Sequence, residues 1–256
     1  MAVYPSDAQL TPAKPLPLFL RLAELLARGI AAGHYQAGER LPPESELSLS
    51  LGASVGTVRK SLALLEERGL LERKQGSGTY VRTRTATRVK GPSSSRGVYE
   101  FFRLELESGG GLPSVMLIDL KKVRHPASVP SFGATNGAGT SKHCYRLRRL
   151  RFLNELPVAI EEIWFDARHR DNLRIEQLDE ALYHFYETEL GFWIARAEDR
   201  LQMGTVPDWA PSGFPLQSGK VCCKIERQAW SSSGTLEEFS STWVDTRVAH
   251  YVARWS

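Results

Sequence analysis

A chain of 256 residues, 42% hydrophobic and 24% charged, is long enough for two separately cored domains and has the balance of a soluble globular protein. No apolar run reaches the roughly 18 residues of a membrane helix, and Met1 to Pro15 lacks the basic start and apolar stretch of a secretion signal. Cys144, Cys222 and Cys223, two of them adjacent, make no disulfide framework, so the expected home is a reducing cytoplasm.

The net charge of +4 is unevenly spread: thirteen Lys and Arg face eight Asp and Glu up to Lys90, and twenty face twenty-one thereafter. The whole basic excess lies in the first third, which fits either contact with a polyanion or a chance surplus.

In chain order, Leu18, Leu22, Leu25, Leu26 and Ile30 recur at helical spacing between Leu16 and Ala32, and Gly33 ends the run. Pro42-Pro43-Glu44-Ser45-Glu46-Leu47 reads as a proline-opened helix with glutamates in its first turn, stopping at Gly52. Ser54 is an N-cap for a third helix with Val58, Leu62 and Leu65 on one face, closed by Gly69. Leu70 to Lys74, a Gln75-Gly76-Ser77-Gly78 turn and Thr79 to Arg82 predict a β-hairpin. Three helices and a hairpin give the order of a winged helix-turn-helix domain over 1–82.

Residues 83–97, with Gly91-Pro92-Ser93-Ser94-Ser95, read as a linker. Beyond it, 98–256 alternates as strands at Tyr99–Leu106, Val115–Val123, His143–Phe152, Val158–Phe165, Ile194–Leu201, Val221–Ser231 and Glu238–Asp245, with one clear helix at Leu178–Leu190. The expected fold class is therefore α+β, the second domain a mostly antiparallel sheet with helices.

On the third helix, Gly56, Thr57, Arg59 and Lys60 stay outside the apolar face, together with Ser54 at its start. A hydroxyl, two cations and a glycine admitting close approach suit phosphate and base edges in a major groove. The hairpin tip Gly76-Ser77-Gly78, flanked by Lys74 and Gln75, is slender enough to reach a minor groove. Read from these residues alone, the region is either a DNA-binding module or a small helical domain with solvated charges.

Leu41 to Leu47, Ser54 to Leu62, Leu65 to Leu71 and Gln75 to Val81 together resemble, in order and spacing, the GntR family of bacterial regulators. The resemblance implies a homodimer reading a short palindrome in double-stranded DNA, with DNA roles for Ser54, Thr57, Arg59 and the turn around Gly76. Ser45 and Val55 stand where many members carry arginine. A bidentate arginine–guanine contact is worth about 1–3 kcal/mol of discrimination, so base preference does not transfer.

In the second domain, Tyr145 to Phe152 and Val158 to Glu162 read as strands joined at Asn154-Glu155, with Arg149 and Arg151 on one face and Arg148 on the other. Two guanidiniums could grip a phosphate or carboxylate, with Glu161 free for a ligand's hydroxyl or amine. The same residues also fit a solvated basic strand cross-paired with glutamates. Trp193, Trp209 and the stretch Val206 to Pro211 form either an aromatic wall of a pocket or a surface loop capped by prolines.

Ala181-Leu182-Tyr183, Glu189-Leu190-Gly191-Phe192 and Gly234-Thr235-Leu236-Glu237-Glu238 extend a resemblance to the effector domain of the HutC subfamily, the UTRA domain, over Val98 to Ser256. It implies a chorismate-lyase-like fold and a pocket for a small, anionic metabolite, contacted by Arg149, Arg151, Glu161 and Glu238. Ala181 replaces a common ligand-contacting serine, and Val244 stands near a common tyrosine.

The function expected is thus a ligand-responsive transcriptional repressor, not an enzyme, with no catalytic residues, cofactor, metal or membrane partner. The alternative is a chorismate-lyase-like enzyme domain fused to a DNA-binding module. The six histidines show no ligand spacing, and no phosphate loop or nucleophile elbow is present.

Overall fold

A computed structural model describes residues 10–82, 102–133 and 142–254. It divides into two compact units: Leu16–Leu112 with the chain end from Tyr251, and Pro113–His250 with the segment up to Pro15. The expected linker at 83–97 and the start of the strand expected at Tyr99 lie outside the described residues.

In the first unit α1 (Leu18–Ala32), α2 (Glu44–Ser50) and α3 (Val55–Glu67) precede the hairpin of β2 (Leu71–Lys74) and β3 (Gly78–Val81). One core collects Leu22, Ala23 and Leu26 of α1, Leu47 of α2, Val58, Leu62 and Leu65 of α3, and Leu71 and Val81 of the hairpin. Ser54 caps α3, its Oγ accepting from the Thr57 N–H at 3.2 Å, a bond that stabilises a helix start by about 1 kcal/mol. A buried ion pair at 2.6 Å, Arg68 to Glu24, ties α3 to α1.

The unit also takes in residues that sequence patterning assigns to the second domain. Buried Arg28 of α1 donates to the carbonyls of Leu104, Gly110 and Gly111, which binds β4 (Leu104–Leu106) and the following loop to the helices. Arg254 donates to Glu105 through both terminal nitrogens at 2.6 and 2.9 Å.

The second unit is built on a seven-stranded sheet: β1 (Thr11–Pro12), β5 (Pro113–Arg124), β6 (His143–Leu153), β7 (Leu156–Asp166), β8 (Ile194–Thr205), β9 (Val221–Ser231) and β10 (Leu236–Val244), in the order β1-β5-β6-β7-β10-β9-β8. All its pairings are antiparallel. Asn154 and Glu155, both with positive φ, make the tight β6–β7 turn.

Two departures have local causes. Thr11 and Pro12 pair with Leu117 and Met116, which puts the segment just before α1 on this sheet instead of in the 1–82 domain. The helix expected at Leu178–Leu190 is only α4 (Leu182–Glu189), because Lys14 takes the backbone before it: its N–H donates to Leu178 O, and its carbonyl accepts from Glu180 N.

Alternation along the strands gives the sheet two inner layers. Leu150, Ile160, Trp243, Cys222, Val206 and Phe214 fill one. Leu117, Leu147, Ile163 and Phe165 belong to the other, where Phe165 meets Tyr145 and Tyr186 of α4 at ring distances of 5.4 and 5.5 Å.

Candidate functional site

The helix-turn-helix and wing present the expected residues outward. Ser54, Gly56, Arg59 and Lys60 are exposed and Thr57 is half-buried, while Val58, Leu62 and Leu65 hold the opposite side in the core. Ser54 Oγ and Thr57 Oγ1 lie 2.8 Å apart, so the cap fixes both hydroxyls at the helix start. Lys60 lays its Nζ 3.9 Å from the Phe19 ring centre.

At the wing, Lys74, Gln75, Gly76 and Ser77 are exposed and Gly78 is half-buried. Lys74 pairs with Glu72 at 3.0 Å and stacks over Tyr80; Ser77 Oγ and Tyr80 OH are 2.6 Å apart.

Three neighbours of this surface escaped the sequence reading. Glu44, the first residue of α2, accepts from Arg59 Nε at 3.0 Å and Nη2 at 2.9 Å through Oε2. Through Oε1 it accepts from Arg73 of β2 at 3.3 Å. The hydrogen bond and charge of Glu44 raise the Arg59 pKa. Arg40 approaches Gly78 so closely that a Cβ there would lie 2.7 Å from Arg40 Nε, and Gly78 has φ +124°. At Gly76, with φ +72°, an added Cβ meets nothing within 4 Å.

Gly78→Ala is therefore expected to cost about 2 kcal/mol of stability, and Gly76→Ala about 1 kcal/mol. Denaturant midpoints of the two variants check this, and equal shifts would deny that Gly78, at φ +124° with Arg40 beside it, is the more constrained of the two.

The second constellation lies in the middle of the sheet, in the layer under α4. Arg149 and Arg151 of β6, Glu161 of β7 and Glu238 of β10 are all buried, between 2% and 8% exposed, which removes the solvated reading of the basic strand. Arg149 Nε donates to Glu161 Oε2 at 2.5 Å. Arg151 Nε lies 3.0 Å from Glu161 Oε1, to which Thr242 also donates at 3.4 Å. Glu161 is thus occupied by protein donors on both oxygens, not open as expected.

Burial alone would raise the Glu161 pKa, but the charges and hydrogen bonds of the two arginines outweigh it and hold it at about 2. Arg149 Nη1 is buried and finds no hydrogen-bond partner among the described residues. Two cations thus share one carboxylate, and one guanidinium edge of Arg149 remains unmatched.

Glu238 is reached from α4: Tyr183 OH donates to Oε1 at 3.1 Å and Tyr186 OH to Oε2 at 2.8 Å. Burial raises its pKa against those hydroxyls and the charges of Arg149 and Arg227. Beside it Arg227 of β9 grips Asp199 of β8 through two bonds, 2.6 and 2.7 Å. Tyr186, Arg227, Asp199 and Thr242 were not singled out from sequence; the three-residue spacing of Tyr183 and Tyr186 is the local signal available, since it puts both hydroxyls on one face of α4.

Ala181 sits buried at the α4 N-cap with no hydroxyl to offer. Trp209 is not a wall of this site. It packs edge-on against Trp243, in the layer of Leu150 and Ile160 on the opposite face. Trp193 is partly exposed, at 38%.

A winged helix-turn-helix with an exposed cationic helix face, on a chain that also holds an antiparallel sheet with buried charges at its centre, defines a regulator with separate DNA-reading and sensing parts. Residues 18–81 match the gntR family of bacterial regulatory proteins, and residues 111–248 match the UTRA domain. The chain is similar to the HTH-type transcriptional regulator SmoD of Agrobacterium fabrum, 46% identical over 93% of this chain and 96% of that one. It is 27% identical to the HTH-type transcriptional repressor NagR of Bacillus subtilis, over 89% and 90%.

The solved structure of YydK from Bacillus subtilis shares the fold, with a TM-score of 0.51 at 20% identity, covering 94% of this chain and 100% of that one. The chain belongs to the GntR family and carries a UTRA domain: it is a transcriptional regulator with a DNA-binding helix-turn-helix and an effector domain. Among the described residues no helix is long and apolar enough to cross a membrane.

Proposed function

We propose that this chain is a repressor that binds a palindromic operator as a homodimer and releases it when a small anionic metabolite occupies the UTRA sheet. The supporting observation for the anion is the unmatched Arg149 Nη1 in the buried Arg149–Glu161–Arg151 cluster. A phosphate or carboxylate entering there supplies the missing acceptor. The tyrosine-held carboxyl of Glu238, which burial favours in its neutral form, suits a ligand hydroxyl.

Repression is supported by the likeness to NagR, a transcriptional repressor. On this reading Ser54, Gly56, Thr57, Arg59 and Lys60 face the major groove, and Lys74 to Gly78 the adjacent backbone or minor groove. Ligand then shifts a two-state equilibrium toward a form whose paired winged helices no longer match the half-site spacing.

The test starts from a duplex selected by the protein out of a random pool. Sugar phosphates, small carboxylates and their neutral counterparts are titrated against the complex. An anion should weaken binding at least fivefold while its uncharged counterpart does not. Equal effects of the two overturn the anionic reading. Sedimentation of the free protein as a monomer at the concentrations that bind DNA overturns the dimer.

A further inference from the structure

Glu44 has an unusual place for a carboxylate on a DNA-facing surface. It is the first residue of α2, so the helix dipole stabilises its charge. It is only partly exposed, yet its two oxygens hold arginines from two different elements, Arg59 of α3 and Arg73 of β2. Glu44 and Arg73 border a cleft of about 450 Å³ between the start of α2 and the wing, walled also by Arg40, Lys74, Gly76 and Gly78.

Near a polyanion a carboxylate is repelled, so electrostatics alone would leave this position neutral or basic. What Glu44 provides instead is geometry. Arg59 has a 61% exposed side chain that would otherwise sample many rotamers and pay for ordering on binding. Two nitrogens of its guanidinium on one oxygen fix the orientation of the fork before DNA arrives. The second oxygen links the same fixed point to the wing.

We propose that Glu44 is a positioning residue for DNA discrimination: it pre-orients Arg59 on the recognition helix and registers it against Arg73 at the base of the wing. Its negative charge weakens attraction to any duplex and raises the preference for the right one. The inference rests on the DNA-facing role of α3 proposed above.

The experiment measures affinity for the selected duplex and for a scrambled duplex of equal length, at one salt concentration, for wild type, Glu44→Gln, Arg59→Ala and the double variant. Glu44→Gln should bind scrambled duplex as tightly as wild type or tighter, while the selected-to-scrambled ratio falls about fivefold. In the Arg59→Ala background the same substitution should change that ratio less than twofold, because Glu44 acts through Arg59.

An unchanged ratio in Glu44→Gln overturns the proposal, and so does an equal fall with and without Arg59, which marks a purely structural role. Glu44→Asp, with a shorter reach to Arg59, should fall between wild type and Glu44→Gln. If Arg59→Ala alone leaves selected-duplex affinity intact, the reading of α3 fails first and takes this inference with it.

Discussion

Glu161→Ala is expected to destabilise the sheet unit by about 3–5 kcal/mol, the loss typical of removing one partner from a buried ion pair. The substitution leaves Arg149 and Arg151, each 5% exposed, as neighbouring buried cations without their shared counter-charge. A carboxyl held at about 2 against an ordinary 4.5 independently implies a contribution on the order of 3 kcal/mol. Denaturant unfolding followed by tryptophan emission reads mainly this unit, since five of the six tryptophans, Trp164 to Trp243, lie in it. A loss below about 1 kcal/mol would mean that water or relaxation already screens the cluster.

The same cluster sets an acid limb. Because the folded Glu161 pKa lies below its unfolded value, its contribution is full above the ordinary carboxylate range and is lost as pH falls from about 4.5 through about 2. Glu238 acts in the opposite sense. Its raised folded pKa favours the native state at low pH, and that contribution fades as pH rises through the folded value. Stability should hold into mildly acid solution and then fall steeply below about pH 4. Glu161→Gln, lower overall, should show a shallower decline over that range.

What was legible from sequence follows the range of the interactions. The helices of the winged domain are specified by neighbours three and four residues apart and by local punctuation such as Ser54 and the Gly76 turn, so their identity and outward residues could be read directly. On β6 and β7 the two-residue alternation put Arg149 and Arg151 on one face correctly. It could not say that the face is covered. That depends on α4, whose Tyr183 and Tyr186 meet Glu238 across 55 and 52 positions.

Other features turn on equally remote partners. The shortening of α4 depends on Lys14, well over a hundred residues upstream. Assignment of 102–112 to the helical unit depends on Arg28 reaching carbonyls 76 to 83 positions away. Glu44 was read as a helix-start signal and nothing more, because its bonds to Arg59 and Arg73, 15 and 29 positions on, exist only when α2, α3 and the wing pack together.

Arg59→Ala is expected to weaken binding to the selected duplex at least tenfold, about 1.4 kcal/mol, within the range of a single bidentate base contact. Arg59 is exposed and anchored by Glu44, so its removal should leave folding nearly unchanged, since exposed ion pairs contribute little to stability. The loss therefore belongs to the interface. Its partition between duplexes locates the contact. A fall confined to the selected duplex assigns Arg59 to base edges. An equal fall on both, with the log–log salt slope smaller by about one, assigns it to phosphate. If neither affinity moves, the exposed face of α3 does not meet DNA, and the wing or another surface must carry the binding.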